Sequence, residues 1–134
     1  MLFNSILAAL GALCFVVALV LLARRSAGGR ALWQAPLALS GLFLAYSLWT
    51  IGLEGPVGFW PVHTQSFWGT QVWLDLLLSI GIGWALVLPR ARIVGMHAGL
   101  WLVAIVMSGS VALLAMVARL WFLESRGAAA PVRA

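Results

Sequence analysis

The chain has 134 residues, of which 64% are hydrophobic and only 8% are charged. Because about a quarter of the residues in a soluble domain are charged, so few charges cannot cover a water-soluble globule, and we expect lipid to be the solvent. The net charge is +5 and every basic residue is arginine, but the arginines stand at the ends of apolar runs rather than in one patch, which argues against nucleic acid as a partner.

The first apolar run covers residues 2–23, and as a helix of about 22 residues it spans the ~30 Å of bilayer hydrocarbon. The residues before it are uncharged, whereas Arg24 and Arg25 follow it, which is the reverse of the charge order in a signal peptide. We therefore predict an uncleaved anchor with its N-terminus outside and its basic end in the cytoplasm. The single cysteine, Cys14, is interpreted as a small buried hydrophobe.

The second apolar run covers residues 31–53 and follows a short loop, which makes it an antiparallel neighbour of the first. Its outer half carries Tyr46 and Thr50, and Glu54 follows its last residue. The connection 54–66 contains glycines and prolines that interrupt regular structure. It is also aromatic, and most of the eight tryptophans stand near run ends, so we expect this connection to lie in the headgroup layer.

The third run covers residues 67–88, after a serine placed to cap the helix, and it carries a carboxylate in its interior. An ionised side chain in hydrocarbon costs at least ~2.5–3.5 kcal/mol, so Asp75 requires a partner or a function. Gln71, Asp75, Ser79 and Gly83 follow one another at four-residue spacing and share one face of a helix. We predict that this polar face turns inward, towards other helices.

The fourth run covers residues 93–122 and follows a basic turn, 90–92, because Pro89 is expected to end the third helix. Small residues recur in this run at four-residue spacing, a pattern that lets helix backbones approach closely. We predict a disordered tail over residues 124–134.

These runs predict an all-α fold, an integral-membrane four-helix bundle with antiparallel up-and-down connections that forms a single domain over residues 1–123. The arginine distribution favours both termini on the outer side of the membrane. Five arginines then face the cytoplasm and three face outward: Arg24, Arg25, Arg30, Arg90 and Arg92 against Arg119, Arg126 and Arg133.

Depth along the helices suggests a candidate ligand or proton site in the outer leaflet. Its members would be Asp75, Ser79, Gln71, Glu54, Tyr46, Thr50 and Arg119. The alternative is structural, with Asp75 hydrogen-bonded to Tyr46 or Ser47 and fastening the bundle.

Residue patterns for catalysis, metal or cofactors are missing from the sequence. No nucleophile constellation, phosphate-binding glycine loop or catalytic carboxylate pair is present, so we do not expect an enzyme. His63 and His97 are predicted ~30 Å apart, at opposite faces of the membrane, and neither has a ligand at metal-binding spacing. We expect no metal and no cofactor.

From Leu48 to Leu123 a series of short motifs follows in order along the chain. The motifs are Leu53-Glu54-Gly55, Phe67, Trp73, Asp75 with Ser79, Arg90-Ala91-Arg92, Gly95-Met96, Trp101 and Gly109-Ser110. In this series the chain resembles a family of small bacterial multi-pass membrane proteins catalogued only as a domain of unknown function. It departs from that family in an extra first helix and in a basic turn without glutamate. The resemblance implies the membrane fold and the importance of Asp75, but no reaction.

Two functions in a bacterial inner membrane remain open from the sequence. The first is a non-enzymatic protein that binds a small apolar or amphipathic ligand, or is an accessory subunit of a larger membrane complex. The alternative is a proton-coupled small-molecule transporter with Asp75 as its titrating carboxylate. Four short helices cannot enclose a transport path, so the transporter would have to act as a dimer.

Overall fold

A computed structural model describes residues 2–24 and 33–127, apart from the side chains at 19, 22 and 23. The described residues form helices joined by short turns and contain no strand, which confirms the predicted all-helical class. The helices are α1 (Leu2–Ala23), α2 (Gln34–Glu54), α3 (Phe59–Thr64), α4 (Phe67–Ile93), α5 (Ala98–Ser108) and α6 (Ser110–Gly127).

The chain divides into two compact units, Met1–Arg30 and Ala31–Ala134. The first unit contains α1, which is apolar around its whole circumference and exposes large side chains such as Phe3 and Phe15. A helix that is hydrophobic on every side needs an apolar environment on every side.

The second unit is built around its last helix, α6, which packs against α2, α4 and α5. Met116 and Leu120 of α6 are fully buried. They belong to a core that also includes Ala91, Met96, Ile105 and Ala112. In contrast, α2 and α4 do not contact each other in the part of the chain that is described.

The direction of α2 relative to α6 follows from two contacts. The Ser40 hydroxyl donates to the Val111 carbonyl at 2.8 Å, and the Trp33 ring meets the Phe122 ring edge-on at a centroid distance of 5.2 Å. The later residue of α2 therefore meets the earlier residue of α6, so the two helices are antiparallel.

The helices α4 and α6 run in the same direction. Ile80 contacts Gly109, where an added Cβ would lie 3.4 Å from the Ile80 Cδ1 atom. Further along, Gly83 faces Leu113. At the end of α4, an arginine forms an ion pair with Glu124 of α6. Because both numbers increase together, α4 and α6 are parallel.

The prediction of one continuous helix over residues 93–122 is wrong, because the chain breaks at Gly109. This glycine has φ +57°, a conformation that L side chains rarely adopt. Its N–H donates to the Ile105 carbonyl at 2.7 Å and closes α5. Since α5 returns from the end of α4 to the level of Ile80, α5 and α6 form a helical hairpin.

The third predicted helix also differs at its end. It continues through Pro89 to Ile93, although an interior proline costs about 3 kcal/mol. The turn beyond the proline is nevertheless anchored, because Ala91 is fully buried and its carbonyl accepts from the Met96 N–H at 2.9 Å. The start is as predicted, since the Ser66 hydroxyl accepts from the Gly69 N–H at 2.9 Å.

Two smaller differences concern the connections. The loop 54–66 contains the short helix α3. The beginning of the predicted disordered tail, 124–127, is helical because α6 extends to Gly127, and residues 128–134 lie outside the described part.

Among the described residues, two helices, α2 and α4, are long and apolar enough to cross a membrane, whereas α5 is apolar but shorter. None of the residues in the most apolar stretch of α4 is buried. At the two ends of α4, Phe67 is 98% exposed and Ile93 is 85% exposed.

Candidate functional site

The polar stripe on α4 consists of Gln71, Asp75 and Ser79, and all three residues are exposed. At 100° per residue, Asp75 lies roughly 120° around the helix from the face that meets α6. Among residues 2–24 and 33–127, Asp75 forms neither a hydrogen bond nor an ion pair. The part of the predicted face formed by Gln71, Asp75 and Ser79 is therefore exposed and turned away from α6. Gly83, the fourth predicted member of that face, is turned inward and faces Leu113 of α6.

The candidate residues on α2 either form hydrogen bonds within their own helix or have exposed side chains. The Thr50 hydroxyl donates to the Tyr46 carbonyl at 3.0 Å, which is a bond within the helix. The Tyr46 ring and Glu54 are exposed. Ser47, the other fastening partner considered for Asp75, donates instead to the Phe43 carbonyl at 2.8 Å.

Tyr46 and Asp75 lie at a similar height without touching. Heights are measured along the helix axes towards the beginning of α4. In that direction Tyr46 lies about 9 Å past the contact between Ser40 and Val111, and Asp75 lies about 7.5 Å past Ile80. The shared level matches the prediction, but α2 and α4 lie on different sides of α6 and do not meet. Neither the fastening hydrogen bond nor a pocket shared by the two helices is present in the described residues.

Along the helix axes, Arg119 and Asp75 lie on opposite sides of the level at which Ile80 contacts Gly109. It is ten residues past Gly109, or about 15 Å further along α6, and Asp75 is about 7.5 Å in the opposite direction. Roughly 20 Å along the helix axes therefore separates the two charges. The structure does not bring the seven candidate residues together, and a site around Asp75, Gln71 and Ser79 stays a prediction.

An aromatic cluster joins α3 to α4, on the opposite side of α4 from Asp75. The Trp73 ring stacks on the Phe59 ring at 5.6 Å and 27°, and the His63 ring lies 5.3 Å from the Trp73 ring. His63 Nδ1 is 2.7 Å from the Phe59 carbonyl oxygen. Because a carbonyl only accepts, Nδ1 carries the proton. The spacing of Phe59 and His63, four residues apart, would have indicated this cluster if α3 had been predicted.

The turn between α3 and α4 fixes the start of the polar helix. The Thr70 hydroxyl lies within hydrogen-bond distance of the His63 and Ser66 carbonyls, at 3.1 and 3.2 Å. Gly69 packs so closely against the Val62 carbonyl that no Cβ fits there. This turn therefore determines the direction in which α4, and with it Asp75, leaves α3.

Metal-ligand groupings of three or more histidine, cysteine, aspartate or glutamate residues do not occur in the described part of the chain. Comparison with protein-family models, with curated proteins and with solved structures finds no match. The resemblance to a family of unknown function stays a prediction.

Proposed function

We propose that the chain is a multi-pass protein of a bacterial inner membrane and serves there as a non-enzymatic accessory subunit. Its partner would contact the face of α4 that carries Gln71, Asp75 and Ser79. The observation that carries this proposal is the position of Asp75, a carboxylate without a partner in the described residues, on the exposed side of an apolar helix.

The membrane part of the proposal rests on where the apolar side chains point. Monomeric soluble proteins rarely expose contiguous apolar patches larger than a few hundred Å². Here large apolar side chains are exposed along α1, α2 and α4, among them Leu10, Leu42, Leu78 and Leu86. Lipid chains would cover these faces without the penalty that water imposes.

The choice of a protein partner follows from the direction of the polar stripe. A pocket for a small ligand needs polar groups that converge from several elements, but the stripe points away from α6. Polar side chains within membranes almost always face other helices or a water-filled cavity. A neighbouring helix with donors for the carboxylate would satisfy Asp75 through hydrogen bonds across the interface.

Site-specific photo-crosslinking in native membranes tests this assignment. A photoreactive residue at Leu78, on the same face as Asp75, should give a discrete adduct, and one at Leu42 on α2 serves as the control. Absence of an adduct at Leu78 above the control would contradict the proposal. An adduct of twice the chain mass would identify a second copy, as the transporter alternative requires, and would replace the accessory-subunit assignment.

A further inference from the structure

The end of α6 lies beside the end of α4. The Arg90 guanidinium donates to both Glu124 carboxylate oxygens, from Nε at 3.0 Å and from Nη2 at 2.6 Å. A two-bond contact of this kind fixes orientation as well as proximity. The last turns of α4 and of α6 are therefore held together at one end of the second unit.

The beginning of α2 lies at the same end. Trp33 contacts Phe122, and the guanidinium carbon of Arg126 lies 4.8 Å from the centre of the Phe122 ring. Tryptophan is enriched at the membrane–water interface.

The hairpin is too short to cross a bilayer. Helix α5 has 11 residues, a length of about 16 Å, whereas the hydrocarbon layer is ~30 Å thick. Its tip, Gly109, is level with Ile80, which is about 20 Å before the end of α4. The chain therefore goes part of the way in along α5 and returns along α6.

Two polar groups at the tip form hydrogen bonds within the hairpin. The Gly109 carbonyl accepts from the Leu113 N–H at 3.2 Å, and the Ser108 hydroxyl donates to the Ala104 carbonyl at 2.9 Å. Ile80 packs against the turn. Non-helical backbone is tolerated at membrane depth only where it is buried in protein or lines a cavity, and this turn is covered on the side of α4.

The charges of the second unit are separated between its two ends. Arg90, Arg92, Arg119 and Arg126 all lie in the half towards the end of α4, and the residues 33–89 contain no arginine. Glu124 pairs with one of the four, whereas the opposite half carries Glu54 and Asp75. Arginines gather on the cytoplasmic side of membrane proteins, where the leaflet is anionic.

We propose that the arginine-bearing end of the second unit binds the anionic headgroups of the cytoplasmic leaflet, and that α5–α6 is a re-entrant hairpin. The hairpin enters from that surface and returns to it, so the C-terminal end of α6 is cytoplasmic. This inference rests on the proposed membrane location. It replaces the prediction that the C-terminus lies on the outer side of the membrane, which follows from a fourth membrane crossing.

Cysteine accessibility tests the hairpin in the full chain. In a Cys14→Ser background, three exposed positions would be probed singly with a membrane-impermeant maleimide: Gln65→Cys in the α3–α4 turn, His97→Cys before α5 and Ser125→Cys near the end of α6. Intact spheroplasts should label Gln65→Cys only, and lysis should expose the other two. Labelling of Ser125→Cys but not His97→Cys in intact spheroplasts would overturn the hairpin, and labelling of both would overturn the cytoplasmic assignment.

The headgroup contact has its own measurement. We expect the melting temperature of the purified protein to be several degrees higher in vesicles that contain phosphatidylglycerol than in phosphatidylcholine alone. The triple variant Arg92→Gln, Arg119→Gln, Arg126→Gln should lose this difference, and Glu54→Gln, at the other end, should retain it. Equal melting temperatures of the wild type in both vesicles would overturn the headgroup contact. Recovery of the protein outside the membrane fraction would instead refute the membrane location itself.

Discussion

Gly109 is the residue that divides the fourth apolar run. The run contains three glycines. Gly95, before α5, and Gly109, between α5 and α6, have positive φ, whereas Gly99 in α5 has an ordinary helical conformation with open space at its Cβ position. In the sequence, Gly99 and Gly109 both match the pattern of small residues in a membrane helix. The difference lies in the backbone conformation, which the apolar pattern does not encode.

We expect Gly109→Ala to destabilise the hairpin by on the order of 1–3 kcal/mol, because a side chain at this φ is strained. Gly99→Ala is the matched control and should be neutral or slightly stabilising, because alanine is the better helix former. Thermal unfolding in detergent, followed by circular dichroism, measures both variants. Equal melting temperatures would show that the turn at Gly109 is not part of the folded structure.

Asp75 differs from Gly109 in that the sequence singles it out, as a carboxylate inside an apolar run, but does not predict its surroundings. We expect Asp75→Asn to change stability by less than about 0.5 kcal/mol, as surface substitutions usually do, since its side chain is exposed and forms no hydrogen bond or ion pair in the described residues. The same variant should lose most of the photo-adduct formed at Leu78. Unfolding of the variant in detergent would favour the structural role, in which Asp75 fastens the bundle.

At the scale of elements, the apolar runs predict where helices occur but not which helices pack together. The run lengths indicate α2 and α4 well, because a long apolar segment bounded by polar turns has few other structures available. The parallel pairing of α4 with α6 brings together residues that are far apart in the sequence, such as Arg90 and Glu124, which are 34 positions apart. No local pattern specifies such a pair. The apolar runs therefore predict up-and-down packing of single helices, whereas the fourth run forms a hairpin, α5–α6.

The Arg90–Glu124 pair offers a test of this helix arrangement. Both side chains are partly exposed, at 53% and 32%, so we expect a coupling energy of only about 0.5–1 kcal/mol. Arg90→Glu should lower stability, and Arg90→Glu with Glu124→Arg should restore part of it. Arg92→Glu combined with Glu124→Arg is the control cycle, because Arg92 forms no ion pair in the described residues. Zero coupling in the Arg90 cycle would contradict the Arg90–Glu124 ion pair.

At the scale of the whole molecule, composition predicts the solvent, whereas it does not predict the site. Few charges and long apolar runs indicate lipid, and the exposed apolar faces of α1, α2 and α4 agree with that solvent. The stripe of Gln71, Asp75 and Ser79 forms as its spacing indicates. The wider site does not assemble, because its members were assigned by depth alone, and depth does not determine which faces of separate helices meet.

The central claim is that lipid, rather than water, surrounds these exposed apolar helices. Alkaline carbonate extraction of bacterial membranes tests it most directly, because this treatment releases peripheral proteins and leaves integral ones in the bilayer. We predict that the full chain stays in the membrane pellet together with an integral control protein and is solubilised only by detergent. Release into the carbonate supernatant together with a peripheral control protein would contradict the account.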